Sequence, residues 1–300
     1  MPLLPVSELE RFSPIFRGKA GNLFAAFLRK VLSISRKVLS ISAVSDLNDR
    51  LSHLEGADFA GAVLKDLKVN YKLGYPERLA DIPEGPFITV SNHPYGSLDG
   101  VILVDLIGHI RKDFKVMVNE ILERVEPLRS SWIVVNPKTD ASTGVTGKNI
   151  QGVRAVLSHL HSGNPVGFFP SGAVSDLSLK EMKIRDREWQ ESIIRLIQKA
   201  KVPVLPVRFF DHNSLWFYEL GLIDWRVRLL QLPHEVVNKK HRRVRIGIGK
   251  LLTVDQQMEH KSLEDFGAWI RSAVYDMPKP DEWMMYNEYA SMRDTKNSRI

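Results

Sequence analysis

Within the decapeptide SNHPYGSLDG, residues 91–100, His93 stands six positions before Asp99, and Pro94, Gly96 and Ser97 lie between them. A carboxylate bonded to one imidazole nitrogen fixes the tautomer and makes the other nitrogen a better base. That is the orienting half of a catalytic triad without a protein nucleophile. Such a dyad would take a proton from a hydroxyl or amine of a substrate. A plainer arrangement uses the same residues: Asp99 caps a helix and His93 bonds to the backbone.

The elements on either side decide whether the pair can meet. Phe87–Ser91 is an apolar run of strand type and Leu98–Ile110 one of helix type, so the decapeptide is a strand-to-helix turn. Pro94, Gly96 and Ser97 suit a tight turn. Asp99 falls in the first helical turn, where the helix dipole favours a carboxylate. Further strands are expected at Phe114–Val118, Trp132–Val135, Val166–Phe169, Val202–Val207 and Val244–Ile248. Helices are expected at Lys148–His161, Glu188–Lys199 and Leu263–Val274. The alternation argues for an α/β sheet, with several polar residues just after strands, where such folds place ligands.

The first seventy-odd residues read as helical. Phe24, Phe27, Val31, Ile34, Val38 and Ile41 form an apolar stripe flanked by Arg29, Lys30, Arg36 and Lys37, and a second helix covers Ala57–Leu67. An amphipathic basic helix either packs on its own core or lies in an anionic membrane surface. From Asp281 the chain is polar and aromatic without period, as in a loose tail. The expected division is therefore a helical, membrane-associating segment at 1–75, a catalytic domain at 76–280 and a C-terminal tail at 281–300.

Composition narrows the classes. Of 300 residues, 44% are hydrophobic, as expected of a globular core, and none is cysteine, which excludes disulfides and thiolate metal sites. The net charge of +7 and pI near 9.5 favour acidic partners: anionic lipid, an acidic carrier protein or nucleic acid. No aromatic-flanked basic motif or recognition helix for nucleic acid is present. No run of eighteen apolar residues occurs, and the N-terminus lacks the pattern of a signal peptide. His159 and His161 are two apart on a helix and point in different directions, so no metal site is expected. There is no Gly-x-Ser-x-Gly and no phosphate-cradling glycine loop. The basic run 238–250 is either a solvated loop or an attractor for a carrier protein or lipid headgroups.

Taken together, the motifs resemble the glycerolipid acyltransferases, the 1-acylglycerol-3-phosphate acyltransferase superfamily. Asn92, His93, Gly96 and Asp99 resemble its first block, with five residues between His and Asp where the common form has four. The pattern is similar to one bacterial branch, the hemolysin-like and amino-acid-lipid O-acyltransferases, which acylate lyso-ornithine or lyso-glycine lipids. Gly167–Ser175 occupies the place of the third block, Val202–Val207 of the fourth, and Lys183–Trp189 and Asp211–Tyr218 are similar to segments of that branch.

The resemblance implies a mixed central sheet flanked by helices, with His93 and Asp99 as the catalytic dyad. It implies transfer of an acyl chain from a thioester of acyl carrier protein or coenzyme A to a lysolipid hydroxyl, with no other cofactor. Asn92, Gly96, Ser171, Gly172, Arg185, Asp186, Arg208, Asn213, Ser214 and Tyr218 are the candidate substrate-binding residues. An apolar tunnel of acyl length should start near His93. The enzyme would be peripheral or monotopic on the cytoplasmic face of the membrane. The departures bear on the acceptor. Ser171 replaces the third block's Glu, Ala173 and Val174 replace its Thr-Arg, and Asn136 stands near the second block's Arg. Either Arg185 or Arg208 supplies a phosphate site, or the acceptor is not a phosphate ester, since phosphate recognition favours the bidentate arginine fork.

Overall fold

A computed structural model describes residues 50–135, 147–223 and 243–297, together with 228, 231, 232, 234, 235 and 239. The amphipathic helix expected at 22–42, and Asn136, lie outside these residues.

Eight strands form one mixed sheet in the order β10-β1-β9-β8-β2-β5-β3-β4. They are β1 (Asn70–Gly74), β2 (Ile88–Ser91), β3 (Lys115–Asn119), β4 (Trp132–Val135), β5 (Val166–Phe168), β8 (Val204–Phe209), β9 (Arg243–Ile248) and β10 (Met284–Met285). A separate antiparallel hairpin comprises β6 (Asp176–Ser178) and β7 (Lys183–Arg185). Strands β8, β2, β5, β3 and β4 are parallel, while β9 runs antiparallel to β8 and β10 antiparallel to β1. Parallel strands covered on both faces read as continuous apolar runs, and β2 is buried at all four positions.

Helices cover the two faces. On one side, α1 (Gly56–Asp66) packs on α2 (Ser97–Gly108), and their apolar side chains share a core with Tyr71, Leu73, Val207, Phe209, Val244 and Ile246. Helix α2 is apolar nearly all round, as a helix enclosed by its own protein should be. On the other side, α3 (Gly147–His161), α4 (Glu191–Ala200) and α7 (Leu263–Tyr275) cover Ile88, Val90, Val166, Phe168 and Val204. Ile193, Ile194, Leu196 and Ile197 of α4 recur at helical spacing and are buried, while Glu191 before them and Arg195 among them are exposed. The side-chain hydroxyl of Ser262 accepts the amide N–H of Asp265 at 3.0 Å and starts α7. Helices α5 (Leu215–Ile223), α6 (Val254–Glu259) and α8 (Tyr286–Asn297) complete the described set. Among the described residues no helix is long and apolar enough to cross a membrane.

Three elements differ from the expectation. Residues 56–74 do not form a separate helical unit: α1 lies on α2, and β1 is an internal strand between β9 and β10. The stretch from Asp281 is not loose over its described part. Met284 and Met285 pair with Leu73 and Lys72, and the ring of Tyr286 stacks on Tyr71 at 4.4 Å. Strand β8 starts at Val204 rather than Val202 and runs on to Phe209.

Candidate active site

The site lies where β2 ends, at the carboxyl edge of the parallel strands. Asn92 continues the sheet with its side chain: Nδ2 donates to the Phe209 carbonyl and Oδ1 accepts the Phe209 amide, both at 2.8 Å. That pair ties the end of β2 to the end of β8 and fixes where the next residue, His93, emerges. Gly96 then reverses the chain at φ +79°, a conformation L side chains rarely adopt.

Asp99 sits in the first turn of α2, fully buried. Its Oδ2 accepts the amides of Tyr95 at 2.9 Å and Gly96 at 3.0 Å. The same oxygen lies 2.9 Å from Nδ1 of His93. The approach is close but imperfectly aligned for a ring N–H donor, a common state of such pairs without substrate. Capping and pairing with His93 thus occur together. Burial pushes the Asp99 carboxyl above its usual range, against the opposing pull of His93 and the two amides. The His93 ring stacks on Phe169 at 4.1 Å and keeps 18% of its side chain exposed. With Nδ1 facing Asp99, Nε2 is the nitrogen left for a reacting group.

The main chain of His93 is gripped separately. Ser175 donates its amide to the His93 carbonyl at 2.9 Å, and the His93 amide donates to Oδ1 of Asp186 at 3.1 Å. The Ser175 hydroxyl donates to the same Oδ1 at 2.6 Å. The Trp189 indole N–H reaches Oδ2 of Asp186 at 3.4 Å, and Arg271 donates to the Asp186 carbonyl at 3.1 Å. Burial raises the Asp186 carboxyl above its usual range, and the Ser175 and His93 donors oppose that rise. Ser175 and Asp186 flank the β6–β7 hairpin, so both feet of the hairpin stand on His93.

The other candidate residues divide by what they touch. Ser171 donates to the Ala173 carbonyl at 2.8 Å, and Gly172, at φ +64°, donates its amide to Phe169 at 2.9 Å. Together they form the tight turn that presents Phe169 to the His93 ring. Tyr218 donates to the Pro94 carbonyl at 2.8 Å, and burial holds its hydroxyl in the protonated, donating form. Asn213 reaches the Tyr95 carbonyl at 3.5 Å. Ser214 donates its amide, at 3.0 Å, and its hydroxyl to Glu235, which also accepts Lys239 at 2.8 Å. Asn213 and Tyr218 therefore brace the 94–96 turn from behind, while Ser214 is tied to Glu235. Arg208 is committed to the carbonyls of Tyr275 and Met277, and Arg185 to Glu181 at 3.2 Å, with its guanidinium over the Tyr275 ring.

Phe169, Ser175 and Arg228 were not singled out by residue chemistry. Arg228 donates to the carbonyls of Val174 and Ser175, each at 3.0 Å, and pins the same strand end. Ser175 closed a motif block, but its contact with His93 runs through the backbone, which leaves no residue-type signal. Two pockets among the described residues, one at Lys72, Arg245 and Trp283 and one between β4 and α3, have mixed polar and apolar walls, and neither is lined by His93 or Asp99. No group of three or more His, Asp or Glu side chains converges as a metal site among the described residues.

The sequence profile of the family described as acyltransferase matches residues 19–280. A lyso-glycine lipid O-acyltransferase of Bacteroides thetaiotaomicron is 26% identical over 270 residues, spanning 88% of this chain and 95% of that relative. A lyso-glycine lipid O-acyltransferase of Phocaeicola vulgatus is 26% identical over 273 residues, spanning 88% and 93%. A solved structure, the 1-acyl-sn-glycerophosphate (LPA) acyltransferase PlsC from Thermotoga maritima, aligns at a TM-score of 0.45 with 14% identity, over 84% of this chain and 94% of that one. That likeness is too distant to carry residue roles.

Proposed function

The chain belongs to the acyltransferase family, and on that premise we propose that it moves a fatty acyl group from an acyl thioester to the hydroxyl of a lysolipid, with a lyso-amino-acid lipid as acceptor. The observation that carries the reading is Nδ1 of His93 at 2.9 Å from the buried Asp99, in a turn with Nε2 left over. In the proposed step, Nε2 takes the proton of the acceptor hydroxyl as its oxygen attacks the thioester carbonyl. Asp99 stabilises the imidazolium that forms. The tetrahedral intermediate then collapses, the C–S bond breaks, and the leaving thiolate takes the proton back from His93. The products are an O-acyl ester and a free thiol, and no atom is left over.

The acceptor class rests on the two lyso-glycine lipid relatives and on the arginines. Arg208 and Arg185, the candidates for a phosphate clamp, each spend Nη1 within the protein, Arg208 on the Tyr275 and Met277 carbonyls and Arg185 on Glu181. An acceptor without a phosphate ester fits that arrangement better than a lysophosphatidate. The donor is a thioester of acyl carrier protein or of coenzyme A, and the enzyme works peripherally at an anionic membrane surface. The test supplies purified protein with labelled acyl-acyl carrier protein or acyl-coenzyme A and a panel of lyso-glycine, lyso-ornithine and lysophosphatidate acceptors. A labelled diacyl product with a lyso-amino-acid lipid supports the reading. Product from lysophosphatidate alone, or none, rejects it.

A further inference from the structure

Helix α5 is apolar on the wrong side. Phe217, Tyr218 and Leu220 are buried, as an inward face should be, yet Leu215, Trp216 and Leu222 on its other faces are 60%, 52% and 49% exposed. A helix apolar all round is expected inside a protein or a membrane. The β6–β7 hairpin shares a small core with α5, through Leu177 and Ile184 against Phe217 and Tyr218. Its tip exposes Leu179 at 62% and Met182 at 75%. These two neighbouring elements hold five of the large apolar side chains left in solvent. They are also the elements tied to the catalytic turn: the feet of the hairpin hold the backbone of His93, and Tyr218 of α5 holds Pro94.

We propose that the hairpin tip and the outer face of α5 form a docking surface for an anionic bilayer, one that sets the mouth of the site on the membrane. Charge complementarity selects this occupant. Lys180 and Lys183 flank the exposed apolar residues of the tip, and neither makes an ion pair with a described residue. The whole chain carries a net charge of +7. Apolar side chains that enter the headgroup region beside lysines that meet anionic lipid are the two components of interfacial binding. A half-exposed Trp matches the amphipathic preference of indole for that boundary. The inference rests on the lysolipid reading above, whose substrate resides in a bilayer.

The test uses the full chain with all four of Leu179, Met182, Leu215 and Trp216 changed to Ser, and a second variant, Lys180→Glu with Lys183→Glu. Binding is measured by co-sedimentation with vesicles of phosphatidylglycerol and phosphatidylcholine. The expected result is at least tenfold weaker binding in each, with an unchanged melting temperature and unchanged turnover of a short-chain lysolipid dispersed as monomers. Native protein should also lose Trp216 emission on vesicles of brominated lipid, as judged against Trp216→Phe. Vesicle binding equal to that of the native chain overturns the proposal. So does loss of self-association in sedimentation velocity in place of vesicle binding, which would assign the surface to a second copy. Absence of quenching overturns it too, because Trp216 would then stay outside the headgroup region. Vesicle binding needs no turnover, so a chain that docks through these residues but acylates no lysolipid refutes the proposed function and leaves the docking surface standing.

Discussion

His93 is held at both ends by carboxylates that do different things: its ring faces Asp99 and its backbone amide donates to Asp186 at 3.1 Å. Asp186 was a candidate for contact with the substrate. Its two oxygens instead receive the His93 amide, the Ser175 hydroxyl and the Trp189 indole. In the proposed step it is a positioning residue for His93.

That relationship predicts a kinetic signature for Asp186→Asn. Misplacing a base by a fraction of an ångström to one ångström costs roughly tenfold to 10²-fold in rate. The loss should fall on kcat with KM nearly unchanged. In a His93→Ala background the same substitution should have no further effect on the residual rate. A raised KM, or an additional loss in the double variant, would place Asp186 in the substrate site instead.

Removing the base itself is expected to cost about 10²–10⁴-fold in kcat, the usual contribution of positioned general-base catalysis. His93→Ala should keep the native circular dichroism and melting behaviour, since its ring makes one stacking contact with Phe169 and one close approach to Asp99. Near-native turnover would end the role assigned to the ring.

Asp99→Asn separates activity from stability. Burial raises the Asp99 carboxyl, so the native state holds that proton more tightly than the unfolded chain does. Where the native state binds more protons, stability falls as pH rises. Above the carboxylate range the ionised Asp99 therefore weighs against the fold, and a neutral Asn does not. The melting temperature of Asp99→Asn relative to native protein should rise between acid and neutral pH, while kcat drops. A difference that shrinks as pH rises would contradict the assigned direction.

Gly96→Ala should destabilise the fold by about 1–3 kcal/mol, the range for a residue forced into a sparsely populated backbone region. At φ +79° an added Cβ would also stand 3.0 Å from Leu232 and 3.1 Å from Val174. Urea denaturation measures the loss. An unchanged midpoint would mean the turn relaxes at no cost.

The β2–turn–α2 unit was legible in the sequence because every signal in it is local: an apolar run, turn residues, and a carboxylate in the first helical turn. Elements whose reason to exist lies far along the chain were not. Strand β1 is five residues long with Lys72 in its middle, and its meaning comes from β9, about 170 residues later. Helix α8 carries a weak apolar pattern and is held by Tyr286, whose ring stacks on Tyr71 and whose hydroxyl donates to the Asp105 carbonyl at 3.2 Å. The same limit applied to the site. His93 and Asp99 share a turn and could be paired by inspection. The Asp186–His93 contact uses a main-chain amide, which every residue but proline offers. The apolar excess of Leu215–Ile223 was visible in the composition, but the exposure of Trp216 and Leu222 required knowledge of what α5 packs against.

Strand β1 lies between β9 and β10, so the first strand of the sheet has no neighbour until the last two have been made. During synthesis β2, β3, β4, β5 and β8 can assemble in parallel pairs while β1 waits with both of its edges open. Unpaired edges of this kind recruit strands from other chains. A nascent or C-terminally clipped chain that ends before Met284 would keep the outer edge of β1 bare. Its aggregation on release, rather than any loss of the dyad, is then the expected cost of losing one short strand and helix α8.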